Sequence, residues 1–217
     1  MTPTNDYSKT PSVLNRYIAE IRDAQTQKDP LRFRINLERI GSFFAIEISK
    51  TLDYQAREVV TPLGTAEVND FTDEIVVGTI LRAGLPMHKG VLDVFDRAEN
   101  AFVSAYRKSK KGDAFEIQVE YMSSPDLTDK VLILTDPMLA TGASMALVYK
   151  SLALRGRPKH IHVVAAIASV EGVRYTKKHM PKNTTFWVGA VDDELTAQAY
   201  IVPGLGDAGD LAYGKKS

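Results

Sequence analysis

Ten consecutive residues, Thr135-Asp136-Pro137-Met138-Leu139-Ala140-Thr141-Gly142-Ala143-Ser144, set a carboxylate, hydroxyls and small side chains between an apolar run and an amphipathic stretch. Read as a strand-to-helix turn, the segment falls at the carboxyl edge of a parallel sheet, where such folds bind ligands. Small residues let backbone N–H groups approach an anion, and a helix opening near Ala143 places about half a positive charge at its N-terminus. The Thr141 and Ser144 hydroxyls add donors. A phosphate monoester fits such a cup, and an ordinary capped turn has the same composition. The spacing is neither a Walker loop nor a Gly-x-Gly-x-x-Gly dinucleotide turn.

Two further segments bear on the same chemistry. Arg82-Ala83-Gly84 follows the apolar run Glu74 to Leu81, so a guanidinium and small-residue amides reach the same sheet edge. Arginine suits a polyphosphate because its planar donors pair bidentately with phosphate oxygens and stay charged. Tyr200 to Gly214 is glycine-rich, which argues against a helix or a central strand. Tyr200, Ile201, Val202 and Leu205 nevertheless give it apolar anchors.

The elements that must position these residues follow from the hydrophobic pattern. Glu74 to Leu81, Ala101 to Tyr106, Lys130 to Thr135 and Ile161 to Ile167 are short apolar runs rich in β-branched residues, as buried parallel strands are. Thr184 to Val191 supplies another strand. Amphipathic stretches at Leu85–Phe95, Ala143–Leu154 and Glu171–His179 lie between and after them, each long enough to cross one sheet face. Strand and helix alternate, so the fold class is α/β with a mainly parallel central sheet flanked by helices. Val13, Leu14, Tyr17, Ile18 and Ile21 recur at helical spacing behind a possible N-cap, Ser12, and a second helix is expected from about Pro30 to Leu52. Arg57 to Val68, with its Thr61-Pro62-Leu63-Gly64 turn signal, reads as a hairpin or small flap. Gln118 to Tyr121 alternates and is expected in a mobile arm outside the central sheet, because polar Lys108 to Asp113 precedes it. The chain is accordingly divided into a helical N-terminal extension (1–56), a flap (57–70), an α/β core (71–191) and a tail (192–217) of one domain.

Bulk composition excludes several classes. The 217 residues hold 27 Lys+Arg against 27 Asp+Glu, so no global basic field attracts nucleic acid or an anionic membrane. There is no cysteine, which rules out disulfides, thiolate zinc sites and a cysteine nucleophile. The polar start, Met1 to Lys9, and the lack of an apolar run near the roughly 20 residues of a membrane span lead to the expectation of a cytoplasmic protein. Trp187, the four histidines and the methionines other than Met138 are read as packing or surface residues.

Thr-Asp-Pro-Met-Leu-Ala-Thr-Gly followed by a small residue and Ser resembles the 5-phosphoribosyl diphosphate (PRPP) motif of uracil phosphoribosyltransferases, in which Pro137 stands where other phosphoribosyltransferases carry a second acid. The resemblance extends to Ile80-Leu81-Arg82-Ala83-Gly84-Leu85-Pro86-Met87, to Tyr106-Arg107 and to Tyr200 through Asp210, and so covers most of the chain after residue 57. It implies a phosphoribosyltransferase-like fold and transfer of phosphoribose from PRPP to uracil. By the same resemblance Arg82, Ala83 and Gly84 form the diphosphate loop, Arg107 is a second PRPP arginine, and Asp136, Pro137, Met138, Leu139, Ala140, Thr141, Gly142, Ala143 and Ser144 hold the ribose 5-phosphate. Asp136, Arg82 and Arg107 are the catalytic candidates; Asp136 would bind the ribose hydroxyls and oppose positive charge on the sugar, and a strand-end aspartate also serves as a cap. Ile201, Gly206, Asp207 and Ala208 would read uracil, with Asp207 reaching PRPP or hydrated Mg2+, which is expected to take most ligands from substrate and water.

Two departures from the family pattern stand out: Gly142-Ala143 with Ser144 where Gly-Gly and Thr are common, and Asp192 to Ala199, which keeps only Asp192 and Leu195. The resemblance also implies a homo-oligomer. A rival reading is a non-catalytic regulator that senses PRPP or UMP on the same fold. The intact base loop argues for catalysis, and the neutral charge argues against an RNA-binding regulator.

Overall fold

β-branched and aliphatic residues fill both faces of the central strands, and that double burial decides the architecture. The computed structural model describes residues 4–109 and 115–215. Its main sheet contains β1 (Thr4–Asp6), β4 (Ile75–Leu81), β5 (Glu99–Ser109), β6 (Phe115–Ser123), β7 (Val131–Thr135), β9 (His160–Ser169) and β10 (Thr184–Asp192), in the order β1-β10-β9-β7-β4-β5-β6. A two-residue strand, β8 (Met138–Leu139), runs beside β9 beyond the end of β7. All pairings in this sheet are parallel except β5 with β6.

Along β7 the side chains alternate. Val131 and Ile133 face one core, Leu132 and Leu134 the other, and all are buried. The first core packs under α1 (Val13–Arg22), α2 (Pro30–Ser49), α3 (Leu85–Leu92) and α6 (Ala208–Tyr213). The second lies under α4 (Ala143–Leu152), with α5 (Val170–His179) at its margin. Burying one Leu or Ile side chain contributes about 1.5–3 kcal/mol, so each central strand anchors both layers at once.

Local signals set the helix starts. Ser12 precedes α1, and its N–H donates to Asn15 Oδ1 at 2.8 Å. Asp29 caps α2 by accepting from the N–H groups of Leu31 and Arg32 at 2.9 and 3.2 Å, with Pro30 at the first helical position, where its missing N–H is not needed. A brace then joins the two helices. Glu20 accepts from Arg32 Nε at 2.8 Å and Arg32 Nη2 at 3.1 Å, and from Asn36 Nδ2 at 2.8 Å. These donors hold the Glu20 carboxyl well below the usual carboxylate range, at about 2.

Three features differ from the sequence expectations. Gln118 to Tyr121 belong to the central sheet, because β5 continues through Arg107 and β6 returns antiparallel along it, with a register shift at Ser104/Ala105. The glycine-rich tail contains a helix, α6: Gly204, Gly206 and Gly214 lie outside it, while Ala208 and Ala212 pack into the core and Asp207 Oδ1 caps it from the Asp210 N–H at 2.9 Å. Polar Thr4–Asp6 forms an edge strand, since pairing with Phe186–Val188 requires backbone groups only. The flap is a hairpin of β2 (Tyr54–Thr61) and β3 (Gly64–Phe71), which among the described residues form a separate two-stranded sheet.

Candidate active site

The cup begins where β7 leaves the sheet. The Asp136 N–H still donates to Val164 O at 3.1 Å, and the Ile167 N–H donates to Pro137 O at 3.1 Å, so residues 136–137 stay tied to β9 while the chain steps sideways into β8. The loop then turns at Gly142, whose φ of +76° disfavours any side chain and whose hypothetical Cβ would lie 2.6 Å from Gly172 O. Helix α5 supports the loop from behind. Ser169 Oγ donates to Ala140 O at 2.5 Å and accepts from the Gly172 N–H at 2.8 Å. Ala143 is the first residue of α4, so its backbone is helical and its methyl group is compatible with the turn. The amides of the first turn of α4 have no intrahelical acceptor, and the Ala143 N–H donates to Thr141 Oγ1 at 3.4 Å, so the turn gathers donors suited to an anion.

Asp136 stands at the base of the cup with one side-chain hydrogen bond among the described residues, from the Met138 N–H to Oδ1 at 3.3 Å. Desolvation in the cleft pushes its carboxyl up to about 7, and the Met138 N–H opposes that rise. A carboxylate with so little compensation gains when a hydroxyl donor or a positive charge arrives.

Arg82 approaches from the end of β4. Close packing holds its loop: a Cβ at Gly84 would fall 2.1 Å from Thr79 Oγ1 and 2.9 Å from Thr135 O, so the loop presses directly on the ends of β4 and β7. The Leu81–Arg82 peptide is cis. Arg82 Nη2 donates to Gly214 O at 3.3 Å and lies 3.7 Å from Asp210 Oδ1, whereas its buried Nε has no hydrogen-bond partner among the described residues. An unpaired buried donor on a guanidinium is the complement of an anionic oxygen.

The tail closes the third side. β11 (Glu194–Leu195) pairs antiparallel with β12 (Ile201–Val202), and the chain then passes through the cis Val202–Pro203 peptide, Gly204, Leu205 and Gly206 to Asp207. Arg82, Ala83, Asp136, Met138, Ala140, Ser144, Gly206, Asp207 and Ala208 together line one cleft of about 530 Å³.

Other predicted residues occupy supporting positions. Gly84, Pro137, Leu139, Thr141, Gly142 and Ala143 form the turns behind that surface. Ile201 is set back, with its side chain buried in the core beneath the tail. Arg107 lies in β5 opposite Ile117. Residues 110–114 of the polar stretch after it lie outside the described residues. The sequence reading missed Gln198, Ala199, Tyr200 and Gly209, which also line the cleft. Of these, Ala199 holds the left-handed conformation at φ +63°. Gln198 and Ala199 lie just before the Tyr200–Asp210 segment, whereas Tyr200 and Gly209 lie within it.

The chain matches the family model described as uracil phosphoribosyltransferase over residues 8–215. It is 58% identical over 205 residues to the uracil phosphoribosyltransferase of Porphyromonas gingivalis, covering 94% of this chain and 95% of that one. It is 39% identical over 191 residues to the protein of that name from Methanothermobacter thermautotrophicus, covering 87% and 86%. The AQ2163 protein from Aquifex aeolicus superposes with a TM-score of 0.87 at 29% identity, over 97% of this chain and 98% of that one. A hypoxanthine phosphoribosyltransferase from Staphylococcus aureus, at TM-score 0.52 and 12% identity, shares the fold over 86% and 84% of the two chains. An α/β sheet with a cleft at the ends of its strands, a family model spanning nearly the whole chain and relatives of matching length all agree: the chain belongs to the uracil phosphoribosyltransferase family.

Proposed function

We propose that the cleft transfers the 5-phosphoribosyl group of PRPP to uracil, giving UMP and diphosphate. One observation carries the assignment of roles: the Arg82 loop, the 136–144 cup and the 206–208 tail face one cleft large enough for both substrates. The 5-phosphate sits against the amides of the first turn of α4 with the Thr141 and Ser144 hydroxyls, and the diphosphate on Arg82 with the Ala83 and Gly84 amides. Asp136 accepts from the ribose hydroxyls, which orients the sugar. As the C1–oxygen bond loosens, positive charge grows on the ribose and the Asp136 carboxylate opposes it. Uracil, held by backbone groups of Ile201 and Gly206 to Ala208, captures C1 through N1 as the C1–oxygen bond breaks, and the N1 proton passes to the departing diphosphate. Cytosine presents an amine where uracil presents O4, so a loop that donates at that position rejects it. Rate enhancement then rests on positioning and fixed charge rather than on a dedicated base.

The donor set is compatible with magnesium held mainly by substrate and water. Among the described residues no three His, Asp or Glu side chains gather as a metal cage, and Asp136 and Asp207 are the carboxylates lining the cleft. Bound magnesium would neutralise charge on the departing diphosphate.

A homo-oligomer is part of the same reading. The β2–β3 hairpin projects with Val60 86% and Leu63 100% exposed, and an isolated hairpin is marginally stable in water. Sedimentation of the purified protein tests it, with a purely monomeric species as the contrary result. For the activity, the protein is incubated with PRPP, magnesium and uracil, cytosine, guanine or hypoxanthine in turn. UMP formed from uracil alone is the expected result, and no nucleotide from any base would sink the proposal.

A further inference from the structure

We propose that Arg22 and Asp192, which lie outside the cleft, are positioning residues for the base-reading loop and set the affinity for uracil. The proposal rests on the assignment of residues 201–208 to the base.

Arg22 is the last residue of α1, and Asp192 ends β10. Their pairing is bidentate, with Nη1 to Oδ2 and Nη2 to Oδ1 both 2.8 Å. Side-chain exposure is only 20% for Arg22 and 8% for Asp192, so water competes weakly for either. What sets the pair apart is its third member. Arg22 Nη1 also donates to Gly204 O at 3.0 Å, and the Gly204 N–H donates to Asp192 Oδ2 at 3.0 Å. Both backbone polar groups of a buried glycine are thereby satisfied by one ion pair. Two apolar side chains in the same space would leave that N–H and C=O buried and unpaired.

Gly204 is where the loop is shaped. Its φ is +60°, and a Cβ there would fall 2.0 Å from Ile201 O, so the turn is tight as well as left-handed. Two residues later Gly206 and then Asp207 and Ala208 line the cleft. A shift at Gly204 therefore propagates to the surface that faces the base.

The grip extends to the next residue. With its amide nitrogen toward the carbonyls, Gln27 donates to Leu205 O at 2.8 Å and to Ile21 O at 3.0 Å. Asp23 stiffens the turn that carries these side chains, its Oδ1 accepting from the N–H groups of Gln25 and Thr26 at 3.1 and 2.7 Å and from Thr26 Oγ1 at 2.7 Å. Residues 22–27 thus hold positions 204–205 from the core side while the loop faces the cleft. Among the described residues the hydrogen bonds of this pair run to each other and to Gly204, away from the phosphate cup and the Arg82 loop, so its influence should fall on uracil and spare PRPP.

The test is steady-state kinetics on Arg22→Lys, Asp192→Asn and Arg22→Met, with the Michaelis constants for uracil and PRPP measured separately. The expected result is a rise of about tenfold or more in KM for uracil, with KM for PRPP within about twofold and kcat at saturating uracil within about threefold of wild type. Arg22→Lys keeps the charge and loses the fork, so it decides the matter if Arg22→Met fails to fold. Protection of each variant by PRPP in a thermal melt shows that the cup is intact. Equal losses for both substrates, or a lower melting temperature with an unchanged KM for uracil, would overturn the proposal. Ala208→Val separates the two layers of inference. If it raises KM for uracil while the Arg22 and Asp192 variants do not, the positioning role is wrong and the base loop stands. If Ala208→Val also leaves uracil unaffected, the base-loop assignment and the proposal fall together.

Discussion

Arg82, at the end of β4, reaches across the cleft toward Asp210 in α6, with Nη2 3.7 Å from Oδ1, and so joins the 82–84 loop to the tail. Both side chains are more than a third exposed, a setting in which an ion pair contributes about 0–1 kcal/mol. The pair therefore orients Arg82 more than it stabilises the fold. Arg82→Ala is expected to lower turnover about 10²-fold or more, as loss of a charge-stabilising donor does. Asp210→Asn, which leaves the guanidinium in place, should change kcat/KM for PRPP by no more than a few-fold. Initial rates with PRPP varied distinguish them, and near-wild-type turnover of Arg82→Ala would remove Arg82 from the mechanism.

The role proposed for Asp136 sets catalysis against stability. Its folded-state pKa is raised from 3.8 to about 7, so between those values the folded protein holds a proton that the unfolded chain has lost. Stability from this group is full below about pH 4 and falls as pH rises toward 7, where the desolvated carboxylate ionises. Asp136→Asn should melt above wild type at pH 8, with the difference vanishing near pH 4. The same variant should lose about 10²-fold in turnover. In the wild type, kcat/KM for PRPP should fall as pH drops through 7, and the variant should lack that limb. A variant melting below wild type at pH 8 would contradict the uncompensated-carboxylate reading.

At the turn of the cup, two neighbouring substitutions should behave oppositely. Gly142→Ala puts a methyl group on a residue at φ +76°, 2.6 Å from Gly172 O and 2.2 Å from Thr176 Oγ1. Left-handed strain alone costs about 1–2 kcal/mol, and the backbone contact forces the loop to move, so both melting temperature and PRPP affinity should fall. Ala143→Gly touches a helical first-turn residue and should alter KM for PRPP by less than about threefold, since a helix start tolerates either residue. Titration with PRPP settles the comparison. A strong effect of Ala143→Gly would mean that the methyl group has a role in the cup.

The pattern of legibility has a physical basis. Strands such as β7 and β9 were readable because both faces are buried, which leaves continuous apolar runs. The 135–144 segment stands out in the sequence because its candidate groups are local: Asp136, Gly142 and Ser144 are near neighbours. Arg22 with Asp192 does not, being a pairing across 170 residues with no local pattern to announce it. Gln198 and Tyr200 were missed for a similar reason, since they reach the cleft only through the fold of the tail. Helix α6 was obscured because glycine content averaged over the tail hides where the glycines stand. Gly209 alone interrupts Ala208–Tyr213, and Asp207 supplies the cap.

His162 should govern part of the acid sensitivity. Its ring is 3% exposed, and Nδ1 accepts from Trp187 Nε1 at 3.0 Å, so the lone pair that a proton would take is already engaged. Burial, reinforced by neighbouring His160 at a ring separation of 4.6 Å, pushes its pKa from 6.5 down to about 3. Below pH 6.5 the unfolded chain binds a proton that the folded protein refuses. The stability contributed by the neutral ring is thus fully present above 6.5 and lost as pH falls toward 3. Asp136 has the opposite slope over part of that range, so the contribution of His162 must be read as a difference between variants. His162→Gln keeps an acceptor for Trp187 and cannot titrate. It should lower the melting temperature at pH 7.5 through imperfect packing, yet lose less between pH 7 and pH 4.5 than the wild type does. Parallel melting curves for the two proteins across that interval would show that His162 does not carry the acid response, and would shift attention to His160, whose pKa burial also lowers.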